Sequence, residues 1–145
     1  LGVFFQYCLI LLIGYIANIA QALWSMWEFR NNQSAASLDT SFTKDLFFGY
    51  GILYLTITGI TLFAITKLRI NKSTAHSIFI IVKMNVYFGV DLLIFQDRNG
   101  FWGTYDIYST IARTFYLSAI PIIVCTGATI WPEQLSLKKN RGIKI

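Results

Sequence analysis

Residues Ala75 to Phe95 read AHSIFIIVKMNVYFGVDLLIF, an apolar stretch interrupted by the ionisable side chains of His76, Lys83 and Asp91. Crossing ~30 Å of hydrocarbon at ~1.5 Å per residue takes about 20 mostly apolar residues, so this stretch is long enough to span a bilayer as a helix. Its polar residues are not scattered. At about 100° per residue, His76, Lys83, Tyr87 and Asp91 fall within one arc of roughly 80°. Hydrocarbon offers polar side chains no partners, so the arc predicts either the interior of a helix bundle or a face turned toward another subunit.

Three more stretches meet the same length requirement: Val3 to Trp27, Leu46 to Thr66 and Ile107 to Trp131. The expected fold is therefore all-α, a single domain over residues 1–145 made of four transmembrane helices in an antiparallel bundle. Composition agrees, because 55% of the chain is apolar and 13% charged, against roughly 25% charged in soluble domains. A soluble enzyme and a disordered tail are excluded on that ground. The net charge of +5 does not point to nucleic acid, since most of the chain lacks the clustered basic residues with polar neighbours that phosphate binding requires.

The first span repeats the one-sided pattern, with Gln6, Gly14, Ala17, Asn18, Gln21, Ser25 and Glu28 inside an arc of about 120°. The second places Gly51, Tyr54, Thr58 and Thr61 on one side, which predicts close helix approach and interhelical hydrogen bonds. Pro121, inside the fourth span, removes one backbone donor and predicts a bend. The first span is too long for a signal-peptide apolar region and has no basic segment before it, so it reads as a membrane helix. The chain opens on Leu1 rather than Met, which points to processing or a preceding leader.

The connections give an orientation. Lys67 to Thr74 and Pro132 to Ile145 share one side and hold seven basic residues against one acidic, whereas Glu28 to Asp45 and Gln96 to Asp106 hold three against five. Basic residues favour the inner side, so both termini are expected in the cytoplasm or its organellar equivalent. Trp24, Trp27, Trp102 and Trp131 all fall at span ends or in a connection, where amphipathic rings prefer the headgroup layer. The third connection begins with an Asn99-Gly100 turn signal followed by aromatics, and is expected to lie on the bilayer surface.

Depth narrows the candidate site. Counting from the cytoplasmic edge, Lys83 lies ~12 Å deep, Asp91 ~24 Å and Arg113 ~20 Å. Asp91 and Arg113 are thus expected to form an ion pair between neighbouring spans, which would offset the cost of burying either charge. No carboxylate falls at the depth of Lys83. That lysine must snorkel, lose its proton, or find a lipid phosphate or a carboxylate of another subunit. Bound lipid is expected for the same reason. With Asn18 and Gln21 from the first span, the interaction candidates are His76, Lys83, Tyr87, Asp91 and Arg113.

Other chemistry is poorly supported. Cys8 and Cys125 form no Cys-x-x-Cys pair, and the sole histidine, His76, cannot build a bis-histidine haem or a multi-histidine metal site within this chain. No nucleophile with a base and orienting group is present, and Gly49-Tyr50-Gly51 lies in an apolar span where helix packing explains it. No cofactor is expected. Asn32-Gln33-Ser34 is a glycosylation triplet close to the membrane, where use is not expected. The leading expectation is a non-catalytic structural or accessory subunit of a larger membrane complex, docking with other membrane subunits or copies of itself. The alternative is a small oligomeric transporter or channel using Lys83, Asp91 and Arg113. A membrane-embedded enzyme acting on lipid or quinone through Lys83, Tyr87 and Asp91 ranks last.

Overall fold

The computed structural model describes residues 2–32, 41–68, 70–99 and 106–139, and among these residues all regular structure is helical. Four helices are long and apolar enough to cross a membrane, so the molecule is a small multi-pass membrane protein. They are α1 (Gly2–Ser25), α2 (Phe42–Lys67), α3 (Lys72–Arg98) and α4 (Ile107–Lys139). Only a helix satisfies its own backbone donors and acceptors in hydrocarbon without a closed barrel, which is why uninterrupted apolar runs become helices here.

The ends are set by short polar side chains. Asn71 accepts from the Ser73 amide at 3.2 Å to start α3, and Ser41 accepts from the Lys44 amide at 3.3 Å to start α2. At the start of α4, the Asp106 carboxylate accepts from the Ser109 amide and hydroxyl, each at 2.7 Å. Those donors hold the exposed Asp106 carboxyl below its ordinary value. Beyond Ser25 the chain tightens into a 3-10 turn over Trp27–Phe29, and Phe29 meets Phe95 of α3 edge-on at 5.3 Å. Trp24 and Trp27 are exposed at this end of α1, as interfacial rings should be.

Three helices outrun their expected bounds, α3 by three residues at each end. The second span begins at Phe42 rather than Leu46, and its first turns are not regular: an α turn over Phe42–Lys44 passes into a π-helical stretch over Asp45–Tyr50 before α geometry resumes at Gly51–Lys67. The fourth continues through Pro121 and Pro132 to Lys139. At ~1.5 Å per residue that is about 50 Å, so its last turns project beyond ~30 Å of hydrocarbon. The surface placement expected for the third connection falls at residues 100–105, outside the described residues.

Consecutive helices pack side by side and α4 closes back on α1. Across the middle, α1 and α3 touch directly while α2 and α4 make little contact, so α1–α3 is the short diagonal of the bundle. The centre is built from Ile19 and Ala22 of α1 and Met26 just after it, Leu46 and Tyr54 of α2, Val86, Val90 and Ile94 of α3, and Ile122 of α4. Side chains such as Phe4, Ile16, Phe63, Phe115 and Ile120 point outward and are largely exposed. Because lipid tails are as apolar as leucine, this core gains from close van der Waals fit rather than from expelling water.

Small residues set the approach distances. A Cβ on Gly14 would lie 2.0 Å from the Tyr54 hydroxyl, and one on Gly51 would lie 2.5 Å from the Tyr15 ring. The face of α2 expected to bond neighbouring helices does so only partly. Gly51, Tyr54 and Thr58 are buried, but the Thr58 hydroxyl donates to the Tyr54 carbonyl of its own helix at 2.6 Å and Thr61 donates to Ile57 at 2.8 Å. A threonine facing hydrocarbon or a tight interface is satisfied most cheaply by the carbonyl four residues back.

Candidate functional site

The two one-sided polar arcs meet. Because α1 and α3 form the short diagonal, their polar faces point at each other through the bundle centre, and α4 covers the seam with hydroxyl residues. Asn18, Gln21, Lys83, Tyr87 and Asp91 are all fully buried, by helices of this same chain. Of the two expectations for these arcs, the bundle interior is therefore the correct one, and the face carrying Lys83 and Tyr87 is not an outward docking surface.

At the level of Lys83, the ammonium donates to the Thr129 hydroxyl of α4 at 2.6 Å and lies 5.6 Å from the centre of the Phe79 ring. Thr129 in turn donates to the Thr126 carbonyl at 2.9 Å, which leaves its oxygen lone pairs to receive the lysine. The ammonium is covered by protein, and it runs toward the end of the bundle where α3 starts, since Phe79 is one turn nearer that end and Thr129 lies at the close of the apolar stretch of α4. One turn further along α3, Tyr87 donates to the Gly14 carbonyl at 3.3 Å and stacks on Tyr54 at 5.5 Å. Gly14 thus serves two contacts at once: it leaves room for the Tyr54 hydroxyl and exposes its carbonyl to Tyr87.

Next comes Asp91. Its Oδ2 accepts from the Gln21 side-chain amide, and the hydroxyls of Ser118 and Ser25 lie beside the carboxylate. Gln21 also donates to Ser25 at 3.2 Å, and Ser25 donates to the Gln21 carbonyl at 3.0 Å. The expected Asp91–Arg113 ion pair does not form. Arg113 lies on an exposed face of α4, whereas Thr110, Thr114 and Ser118 supply the buried face. Arg113 is about 100° around the helix from Thr114 at ~100° per residue. Depth matched the two residues, but facing did not.

The ion pair that does form lies at the end of α3 opposite Lys72. Arg98 is buried, pairs with Asp45 in the π-helical stretch of α2, and donates to the Asn32 carbonyl at 2.8 Å. Its guanidinium also lies 5.1 Å from the Phe42 ring centre. Asn32 returns a hydrogen bond from its side chain to the Arg98 carbonyl at 2.8 Å. One arginine thereby ties together the segment after α1, the start of α2 and the end of α3. Reading Arg98 and Asp45 as connection charges hid this, since each lay just outside an expected span. The Asp45 to Arg98 match in depth, at the same membrane edge, is the signal that could have revealed it.

His76 is only half-buried near the start of α3 and is not brought to this polar interior. Lys83, Tyr87 and Asp91 each engage a different partner on a different turn, so their functional atoms do not converge on one reaction point. Among the described residues no three His, Cys, Asp or Glu side chains gather as metal ligands. What the arrangement can do is hold charge: a buried carboxylate met by neutral amide and hydroxyl groups, inside a bundle with a lipid-compatible exterior. No protein-family model, curated protein or solved structure matches the chain.

Proposed function

We propose that this chain is a non-catalytic membrane subunit that works within a larger assembly, its termini on the cytoplasmic side. The observation that carries the reading is the segregation of its surface. The polar faces of α1, α3 and α4 are turned inward toward one another, while the outer faces carry large apolar residues such as Phe48, Ile60, Phe63, Tyr116 and Ile123. Such a body presents lipids and neighbouring membrane helices with packing surface and little else. Purification in mild detergent followed by native mass measurement tests it: distinct co-purifying membrane chains are expected, and a monomer or pure homo-oligomer overturns it.

A second reading, a small cation-handling protein, is favoured by one specific observation. Polar side chains form successive rungs along the short diagonal, from Lys83 with Thr129, through Tyr87 with Gly14, to Asp91 with Gln21. Buried ionisable groups in a membrane interior are costly, and lining an ion or proton route is a common reason for them. Cation flux by purified chain in liposomes, lost in Asp91→Asn, would favour this reading over the first.

A further inference from the structure

Buried side-chain oxygens with no hydrogen bond among the described residues include Asp91 Oδ1, Gln21 Oε1, Asn18 Oδ1 and Thr114 Oγ1, and the buried Ser118 hydroxyl lies beside the Asp91 carboxylate. Each belongs to a side chain at 0% exposure. Leaving a buried polar atom unmatched costs free energy, and a buried charge costs more, so several together call for a shared ligand. Three of these side chains meet at one level. Gln21 bonds the carboxylate directly and Ser118 lies beside it, while Asn18, one turn before Gln21 on α1, and Thr114, one turn before Ser118 on the antiparallel α4, flank that level on opposite sides.

We propose that Asp91, Gln21 and Ser118 form a binding site for a monovalent alkali cation inside the bundle. The donor set selects the class. The groups that face Asp91 offer hard oxygens, with no thiolate or imidazole among them, which suits cations that bind through charge and oxygen dipoles rather than transition metals. The single carboxylate selects the valence. Among the described residues no cationic side chain pairs with Asp91, so one positive charge neutralises the site, whereas a divalent ion would leave a net charge in a medium of low dielectric.

A groove on the surface of the bundle comes close to the site. With a volume of about 420 Å³, it opens between the end of α1 and the middle of α4, lined by Trp24, Ser25, Trp27 and Glu28 on one side and by Leu117 and Pro121 on the other. Ser25 belongs to both places, lining the groove and lying beside the Asp91 carboxylate. Glu28, exposed at this end of α1, puts a negative charge at the mouth, which raises the local concentration of cations. The cation would thus enter from the side opposite the chain termini, independently of whether the protein works alone or as a subunit.

The test uses the full chain purified in detergent, with NaCl or KCl exchanged against choline chloride at constant ionic strength. A saturable rise in Tm with Na⁺ or K⁺, and stoichiometric binding of radioactive Na⁺ or its displacement by K⁺, are expected. Asp91→Asn should abolish the dependence, and Ser118→Ala should weaken it about tenfold or more, the usual scale for losing one charge-assisted contact. Arg113→Gln, similar in depth but off the buried face, should leave it unchanged. If Asp91→Asn does not fold, Ser118→Ala still decides. No alkali-cation dependence in the unaltered chain, or full affinity retained in Ser118→Ala, overturns the site.

Discussion

Gly14 carries more constraint than any polar residue of its helix, because one atom added to it would occupy the place of the Tyr54 hydroxyl, 2.0 Å away. Tyrosine cannot retract without leaving its stack on Tyr87, whose own hydroxyl depends on the Gly14 carbonyl. Gly14→Ala should therefore destabilise the bundle by about 1–3 kcal/mol, the range for overpacking a tight interior. Tyr54→Phe removes the clashing oxygen, so the double variant should regain much of the loss, and thermal unfolding of the four proteins in detergent measures the coupling. Additive losses would show that the two side chains do not share that space.

The π-helical stretch of α2 sets the direction of everything before it. Asp45 reaches Arg98, and Phe42 reaches the same guanidinium, only because the turns ahead of Gly51 are wound more loosely than an α-helix. The looser winding also leaves the Phe47 carbonyl to accept from Tyr15 at 3.0 Å. Gly49 is exposed, and a Cβ built on it would meet nothing within 4 Å, so deleting it removes a residue without removing a contact. The deletion should restore α winding and swing Asp45 by about 100° away from Arg98. Its stability loss should match that of Asp45→Asn, about 2–4 kcal/mol for stranding a buried arginine, and combining the two should add little. A deletion as stable as the unaltered chain would show that the stretch does not aim Asp45.

Taken whole, the molecule buries Lys83 and Asp91 among its own helices while Arg113 stays exposed, and this changes what Lys83 can report. Because its ammonium ends on Thr129 of the same chain, Lys83→Met should leave the mass of any assembly in mild detergent unchanged, and a loss of association would mean that the lysine reaches a partner. Orientation is checked separately. With Cys8 and Cys125 replaced, single cysteines at Ser37 and Asn140 should react with an impermeant thiol reagent from opposite sides of the membrane, and labelling from one side would contradict the topology.

Four helices, their order and their inward polar faces were legible in the chain because each is a local property: about 20 apolar residues are enough to span, and a 3.6-residue period marks a face whatever that face meets. His76, Lys83, Tyr87 and Asp91 sharing an arc is a fact about one helix. Pairing is a fact about two. Depth alone put Asp91 with Arg113, but the rotation of α4 about its axis sends Arg113 outward and brings Ser118 inward, and that rotation depends on small and hydroxyl residues fitting against α1 and α3. In the same way Lys83 found its acceptor on Thr129, 46 residues away, and Arg98 its carboxylate on Asp45, 53 residues away. In a low-dielectric interior each buried polar group must be met by something, and tertiary packing decides which group meets it.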